Sequence, residues 1–113
     1  MSQFGEEAER ELVSLLVGAE SVLEELEGAD VELKDGVLTL VLPMNRGSFV
    51  VNKQTPTQQL WWSSPVSGPR RYAQTGGPGT PWKCVRSGSE LRSDLARELA
   101  MLLPEAKAVQ YHD

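Results

Sequence analysis

Apolar residues recur at three- and four-residue steps from about Glu6 to Glu27, as Leu12, Leu15, Leu16, Ala19, Val22, Leu23 and Leu26. That spacing predicts an amphipathic helix burying one stripe, with Gly18 a weak point inside it and Gly28 a natural stop. The period then drops to two. Val31 and Leu33 alternate with Glu32 and Lys34, Asp35-Gly36 makes a hairpin pair, and the run Val37 to Leu42 follows; these predict two antiparallel strands. Ser48 to Asn52 and Gln58 to Trp62 read as a third and fourth strand around a turn at Thr55-Pro56-Thr57. Arg70 to Gln74 and Trp82 to Arg86 read as two more. Loops are expected from Pro43 to Gly47, from Ser63 to Pro69 and along the GGPGTP stretch from Gly76 to Pro81. A second helix, about Ser89 to Leu103, carries a stripe of Leu91, Leu95, Leu99, Leu102 and Leu103. Ser87 and Glu90 have capping-box spacing before it, Pro104 lies just past it, and the tail Glu105 to Asp113 follows. Helix, about six strands, helix, with one apolar face per element, predicts an α+β fold. The expected form is a two-layer αβ sandwich with both helices on one face of an antiparallel sheet.

The 113 residues, with no internal repeat or boundary, fit one domain spanning 1–113. Their net charge of −5 hides an asymmetry. Met1 to Asp35 carries eleven acids and two bases, while Gly36 to Asp113 carries five acids and nine bases. No acid occurs between Asp35 and Glu90, where Arg46, Lys53, Arg70, Arg71, Lys83 and Arg86 all fall. Such a chain is a dipole, suited to a cation or basic partner at one end and an acidic partner at the other. Its overall sign argues against general nucleic-acid binding, which needs a dominant basic surface. The apolar runs are too short to span a bilayer. No secretory or transit segment opens the chain, so it reads as cytosolic or as a mature form. The lone Cys84 has no internal disulfide partner and fits a reducing compartment.

Two places carry candidate chemistry. Glu20, Glu24 and Glu27 stand at helical steps of four and three and so share a face, with Asp30 and Glu32 on the first strand and Asp35 at the turn. Crowded carboxylates repel, and a hard cation relieves that repulsion; oxygen ligands suit iron, but also magnesium, calcium and manganese. No His or Cys lies among them, so any binding should be weak, exposed and multi-site. On the residues alone, a solvated acidic face and a cation-binding ridge both stay open. The other place is the fourth strand. Period two puts Leu60 and Trp62 in the core and Gln59 and Trp61 on the opposite face. An exposed Trp61 beside Asn52, Lys53 and Gln54 is a candidate partner hot spot, with an ordinary surface aromatic as the alternative. Signatures of a closed catalytic metal site, such as HExxH, do not occur. His112, the only histidine, reads as a tail residue, and without a histidine base Cys84 reads as a structural thiol on a face shared with Trp82 and Arg86. GGPGTP lacks the lysine of a phosphate loop.

The segment Asn52-Lys53-Gln54-Thr55-Pro56, then Gln59-Leu60-Trp61, Ser63-Ser64-Pro65, Ser67-Gly68-Pro69 and Arg71-Tyr72, resembles the frataxins. Gly36-Val37-Leu38-Thr39 and the Leu-Glu-Glu-Leu end of the first helix add weaker support. The resemblance covers roughly Glu6 to Leu103, and its form is closer to mitochondrial than to bacterial frataxins. Ala73-Gln74 stand where the family commonly has Asp-Trp, and the GGPGTP loop is longer than usual, which puts contacts near that hairpin in question. The resemblance implies an αβ sandwich and a regulator of iron–sulfur cluster assembly rather than a true enzyme. It implies weak ferrous or ferric iron binding at Glu20, Glu24, Glu27, Asp30, Glu32 and Asp35. It also implies binding to a cysteine desulfurase–scaffold complex through Asn52, Trp61 and Arg71, promoting sulfur transfer. A ferroxidase or iron-storage protein that oligomerises with iron is the alternative. The expected state is a monomer, with an iron-dependent oligomer as the variant, and no nucleic-acid or membrane partner. The expected location is the mitochondrial matrix for a mature form, or the cytoplasm for a bacterial one.

Overall fold

In a computed structural model that describes residues 3–106 and Tyr111, the first apolar stripe folds as helix α1 (Gln3–Leu23). Strands β1 (Asp30–Lys34), β2 (Val37–Val41), β3 (Ser48–Gln54), β4 (Gln59–Ser64), β5 (Gly68–Ala73) and β6 (Lys83–Cys84) follow, then helix α2 (Leu91–Leu102). The strands form one antiparallel sheet in chain order, β1 to β6. Both helices cover one face. Leu12, Leu15, Ala19 and Leu23 of α1 and Leu91, Leu95 and Leu99 of α2 are buried against Leu38, Leu40, Phe49, Val51, Leu60, Trp62 and Tyr72 of the sheet. Trp62 packs edge-on to Phe49 at 5.4 Å and tilted on Tyr72 at 5.6 Å, and its indole N–H donates to Ser67 Oγ.

The boundaries differ from the pattern where local geometry overrides it. Helix α1 ends at Leu23, not near Glu27. Leu26 N–H bonds back only three residues to Leu23, and Gly28 adopts the left-handed φ of 89° that reverses the chain. Leu26 still packs on the core, which explains its place in the stripe. Gln58, placed in the fourth strand by its sequence, is the left-handed residue closing a 3₁₀ turn at Thr55–Thr57. The loop predicted from Ser63 to Pro69 shrinks to three residues, because Ser64 Oγ accepts the N–H groups of Val66 and Ser67 and closes the turn itself. Strand β6 stops at Cys84, since Gly88 N–H turns back to Cys84 O; Arg86 is therefore exposed and shares no face with Cys84. The capping box is not made. Ser87 Oγ accepts from Ser89 N–H, and Glu90, the residue before α2, makes no side-chain cap. The chain there is held instead as sheet, with Cys84 N–H donating to Ser89 O and Leu91 N–H to Trp82 O.

Polar groups join the layers. Asp94 of α2 is 0% exposed, and its Oδ2 accepts from Tyr72 Oη at 2.7 Å, Ser89 Oγ at 2.6 Å and Arg70 Nη1 at 3.1 Å; Arg97 Nη2 reaches Oδ1 at 2.9 Å. Burial pushes the carboxyl up, but the hydrogen bonds from Ser89, Tyr72 and Arg97 and the Arg70 charge outweigh it and hold Asp94 below the usual carboxylate range. Glu98 accepts from Ser64 Oγ beside it. Arg92 of α2 forks onto the buried Glu11 of α1 at 3.0 and 2.9 Å, tying helix to helix. At the other end of α2, Arg46 donates to Leu102 O at 2.8 Å and Glu105 at 2.7 Å, a cation where the helix dipole favours one.

Two outcomes follow. Asp94→Asn leaves Arg70 without its buried counter-charge and should cost roughly 3–5 kcal/mol in denaturant unfolding, as removal of one partner of a buried pair does. Because Asp94 titrates lower in the folded than in the unfolded chain, its stabilisation is complete above about pH 4 and is lost as pH falls through the depressed value. The mutant's acid limb should be correspondingly shallower. The second concerns Gly18, where a Cβ would clash with the Tyr111 ring, while Tyr111 Oη donates to Leu15 O at 3.3 Å. Gly18→Ala should lower the melting temperature despite a gain of about 1 kcal/mol in helix propensity. In a Tyr111→Ala background the same change should raise it. Equal signs in both backgrounds would mean that Tyr111 does not seat on Gly18.

Candidate functional site

The face of the sheet away from the helices carries the first candidate site. Register sets Lys34, Val37, Asn52, Trp61 and Arg71 in one row across β1 to β5. The Arg71 guanidinium carbon stands 4.5 Å from the centroid of the Trp61 ring, a cation–π contact. Trp61 Nε1 donates to Gln59 Oε1 at 3.0 Å, and Gln54 Nε2 to Asn52 Oδ1 at 3.1 Å. Trp61 is thus half-buried under its neighbours rather than freely exposed, with its position and ring plane fixed. Asn52, Gln54, Trp61 and Arg71 come together. Lys53 does not join them: it lies on the helix side opposite Leu60, with Nζ 3.5 Å from Glu9 of α1.

The same segment divides cleanly by face. Ser64, Arg70 and Tyr72 point to the helices and bind Glu98 and Asp94, and Ser67 closes the turn under Trp62. Trp61 and Arg71 alternate with them and make no contact that the core requires. A groove of about 640 Å3 runs beside them, lined by Val50, Ser63 and Pro69 and by Val85 and Arg86 of the turn after β6. Val85 and Arg86 were not singled out by the sequence as a site. The acid-free stretch pointed to Arg86, and Val85 follows buried Cys84 and so faces outward by alternation.

The acidic residues form the second candidate. Glu20 lies near the end of α1, Glu24 and Glu27 in the turn after it, Asp30 and Glu32 on edge strand β1, and Asp35 at the hairpin. All six are exposed, and none forms an ion pair among the described residues. Glu24 still closes a helical turn on Glu20, its N–H bonded to Glu20 O at 3.1 Å, but Glu27 lies beyond it, so the three do not share one helical face. Asp30 to Asp35 extends about 16 Å along the strand. The described residues hold no group of three or more His, Cys, Asp or Glu side chains converging on one point. The donors are hard oxygens strung along an edge, which fits a hydrated hard cation held by one or two carboxylates at a time.

Other groups are accounted for structurally. Cys84 is buried opposite Tyr72; burial raises its thiol, but hydrogen bonds from Ser87 and Arg86 and the Arg70 charge bring it below the usual thiol value. His112 lies outside the described residues. Gln74 supports the longer loop: its amide donates to Glu7 Oε1 at 3.1 Å and to Thr80 O at 3.0 Å, and Glu7 also accepts from Gly79 N–H. The hydrogen bonds from Gln74 and Gly79, opposed by burial and aided by Arg10, hold Glu7 below the usual carboxylate range.

Comparison with known proteins agrees with the geometry. The Frataxin-like domain family matches residues 1–105. Mitochondrial frataxin of Dictyostelium discoideum is 46% identical over 67% of this chain and 38% of its own length. The mitochondrial frataxin homologue of Saccharomyces cerevisiae is 36% identical over 95% of this chain and 60% of its own. The chain therefore spans about 38–60% of the length of these relatives. Among solved structures, trimeric yeast frataxin with its full-length N-terminus superposes with a TM-score of 0.74 at 36% identity, covering 87% of this chain and 79% of that one. Trimeric yeast frataxin complexed with ferrous iron gives 0.73 at 37% identity, covering 87% and 86%. With its two helices on one antiparallel sheet, its Trp61–Arg71 face and this family match, the chain belongs to the frataxin-like family.

Proposed function

We propose that this protein is an iron-binding regulator of iron–sulfur cluster assembly. In this reading it docks on a cysteine desulfurase–scaffold complex through the face around Asn52, Gln54, Trp61 and Arg71 and promotes sulfur transfer. It holds iron weakly along Glu20, Glu24, Glu27, Asp30, Glu32 and Asp35. It works in the mitochondrial matrix, as the names of its relatives suggest. The observation that carries the docking role is the division of the segment by face: a fixed indole under a guanidinium, on the uncovered side of the sheet, with no part in the core. Rigid aromatic and Arg side chains of this kind anchor protein interfaces. For iron, the support is the set of exposed, unpaired carboxylates and the ferrous complex of the yeast frataxin. A second reading, an iron-storage or ferroxidase oligomer, draws on the trimeric yeast frataxins; sedimentation with and without ferrous iron separates the two.

Trp61→Ala should cost the fold only about 1 kcal/mol, mostly the cation–π contact. It should weaken binding to a purified desulfurase–scaffold complex by well over tenfold, since a tryptophan anchor contributes about 2 kcal/mol or more. Trp62→Ala should do the reverse, costing roughly 3–5 kcal/mol of stability as a buried aromatic truncation. Paired melting curves and binding titrations, with sulfide release followed, decide it. A folded Trp61→Ala protein that binds and activates normally would refute the docking face.

For the ridge, ferrous iron added anaerobically to labelled protein should perturb the six acidic positions at micromolar affinity or weaker and leave Trp61 quiet. Glu24→Gln with Asp30→Asn should weaken that binding and raise the melting temperature slightly by relieving like-charge repulsion. Broadening centred on Cys84 would contradict the assignment.

A further inference from the structure

Strand β5 runs on beyond the two residues of β6, so past Val85 one side of β5 borders the groove rather than another strand. Pro69 offers no N–H there, so an incoming chain gains little by adding as a seventh strand. What the groove offers is side chains. The Trp61 indole, Val50 and Val85, the last 48% exposed, give it apolar walls. Two cations flank them. Arg71 lies over Trp61, and Arg86 is exposed on the turn opposite; neither has a carboxylate partner among the described residues. Arg70, also at the groove, is neutralised by Asp94. No acidic residue among the described ones lines the groove, and the sequence has none between Asp35 and Glu90. An apolar trough between two unneutralised guanidinium groups selects an apolar side chain with a carboxylate beside it.

We propose that this groove receives an extended, acidic polypeptide segment of the protein partner, with Arg86 as a second specificity-determining contact opposite Arg71. The proposal rests on the docking face above and extends it past β5 to the turn at Val85 and Arg86. A polypeptide is favoured over a nucleic acid because, among the described residues, two free cations line the groove while exposed Glu32 lies on the same face of the sheet, an arrangement that repels a polyanion.

The test has two arms. The first uses a synthetic decapeptide of alternating Glu and Leu, its Lys–Leu counterpart, inorganic phosphate and a single-stranded oligonucleotide as probes, each titrated into labelled protein. The Glu–Leu peptide should shift Trp61, Val85 and Arg86, with affinity falling as salt rises; the other three should not bind there. Arg86→Glu should weaken that binding about tenfold with an unchanged melting temperature, and Arg86→Lys should retain most of it. Phosphate or oligonucleotide binding as tightly as the peptide would overturn the proposal, as would indifference to Arg86→Glu. The second arm measures desulfurase–scaffold binding with Arg86→Glu beside Trp61→Ala. Loss in both supports the extended face. Loss in Trp61→Ala alone overturns the role of Arg86 and leaves the docking face standing. A wild-type protein that ignores the complex yet binds the Glu–Leu peptide in an Arg86-dependent way rejects the assembly role and upholds the groove.

Discussion

A carboxylate buried without water must be matched by donors, and Asp94 draws its donors from elements that would otherwise be free to slide. Arg70 and Tyr72 come from β5, Ser89 from the turn before α2 and Arg97 from α2 itself. Meeting that demand fixes α2 over β5 and fixes which face of β5 looks inward. Alternation does the rest. With Arg70 and Tyr72 committed to the helix side, Arg71 must face away, and the β4–β5 register then sets Trp61 beside it, with Asn52 next in the row. The outward Trp61–Arg71 pair is thus a geometric consequence of an inward ion pair. A one-residue slip would bury Arg71 and expose Tyr72, and β3, β4 and β5 carry no carboxylate on the far face to receive Arg70.

The charges sort in the same way. Glu7, Glu9, Glu11, Asp94 and Glu105 each have a cationic partner, all of them within or across the helices, loops and sheet. The six acids near β1 have none among the described residues. The sequence contains enough Arg and Lys to neutralise some of them, but Arg10, Arg46, Lys53, Arg70, Arg92 and Arg97 pair with other acids, Arg71 and Arg86 face the groove, and Lys34 and Lys83 are exposed with no ion pair among the described residues. Segregation of this kind leaves like charges in proximity, which disfavours the compact state slightly. It also leaves an acidic edge and a trough flanked by two unpaired guanidinium groups on one small molecule.

Much of this was legible before any coordinates. The leucine stripes gave both helices because a 3.6-residue period has few other uses, and the strand alternation placed Leu60 and Trp62 inward correctly. The acidic edge was visible as a cluster of acids from Glu20 to Asp35 broken by one base, Lys34. Less legible were features fixed by partners distant in sequence. Nothing local marks Asp94 as buried, since an Asp three residues into a helix is ordinarily solvated; the sheet partners that bury it, Tyr72 and Arg70, lie 22 and 24 residues earlier. Lys53 reads as part of the Asn52–Gln54 surface, yet its pairing opposite Leu60 sends it to Glu9. Ser87 and Glu90 have the spacing of a cap, but backbone pairing of Trp82 and Cys84 with residues 89 and 91 takes precedence. Glu24 and Glu27 fit a helical face until Gly28 ends the turn that would carry it.

The two candidate surfaces are distinct but not electrically isolated. Glu32 lies in the row Thr39, Val50, Ser63 on the same far face as Trp61, with β4 three strand spacings from β1. At about 4.8 Å per spacing the separation is roughly 14 Å. That exceeds the Debye length of about 8 Å at physiological ionic strength but not the roughly 30 Å at 0.01 M salt. Lys34, in the row of Trp61 and flanked by Glu32 and Asp35, shortens the reach of the acidic field further. Iron held on the edge, as proposed above, would therefore alter the potential at the groove strongly in dilute buffer and weakly under physiological salt. An apparent coupling of iron to partner binding that vanishes on adding salt is a field effect between two sites. One that survives points to a short-range coupling, such as a metal ion with the exposed carboxylates and a partner group as its ligands.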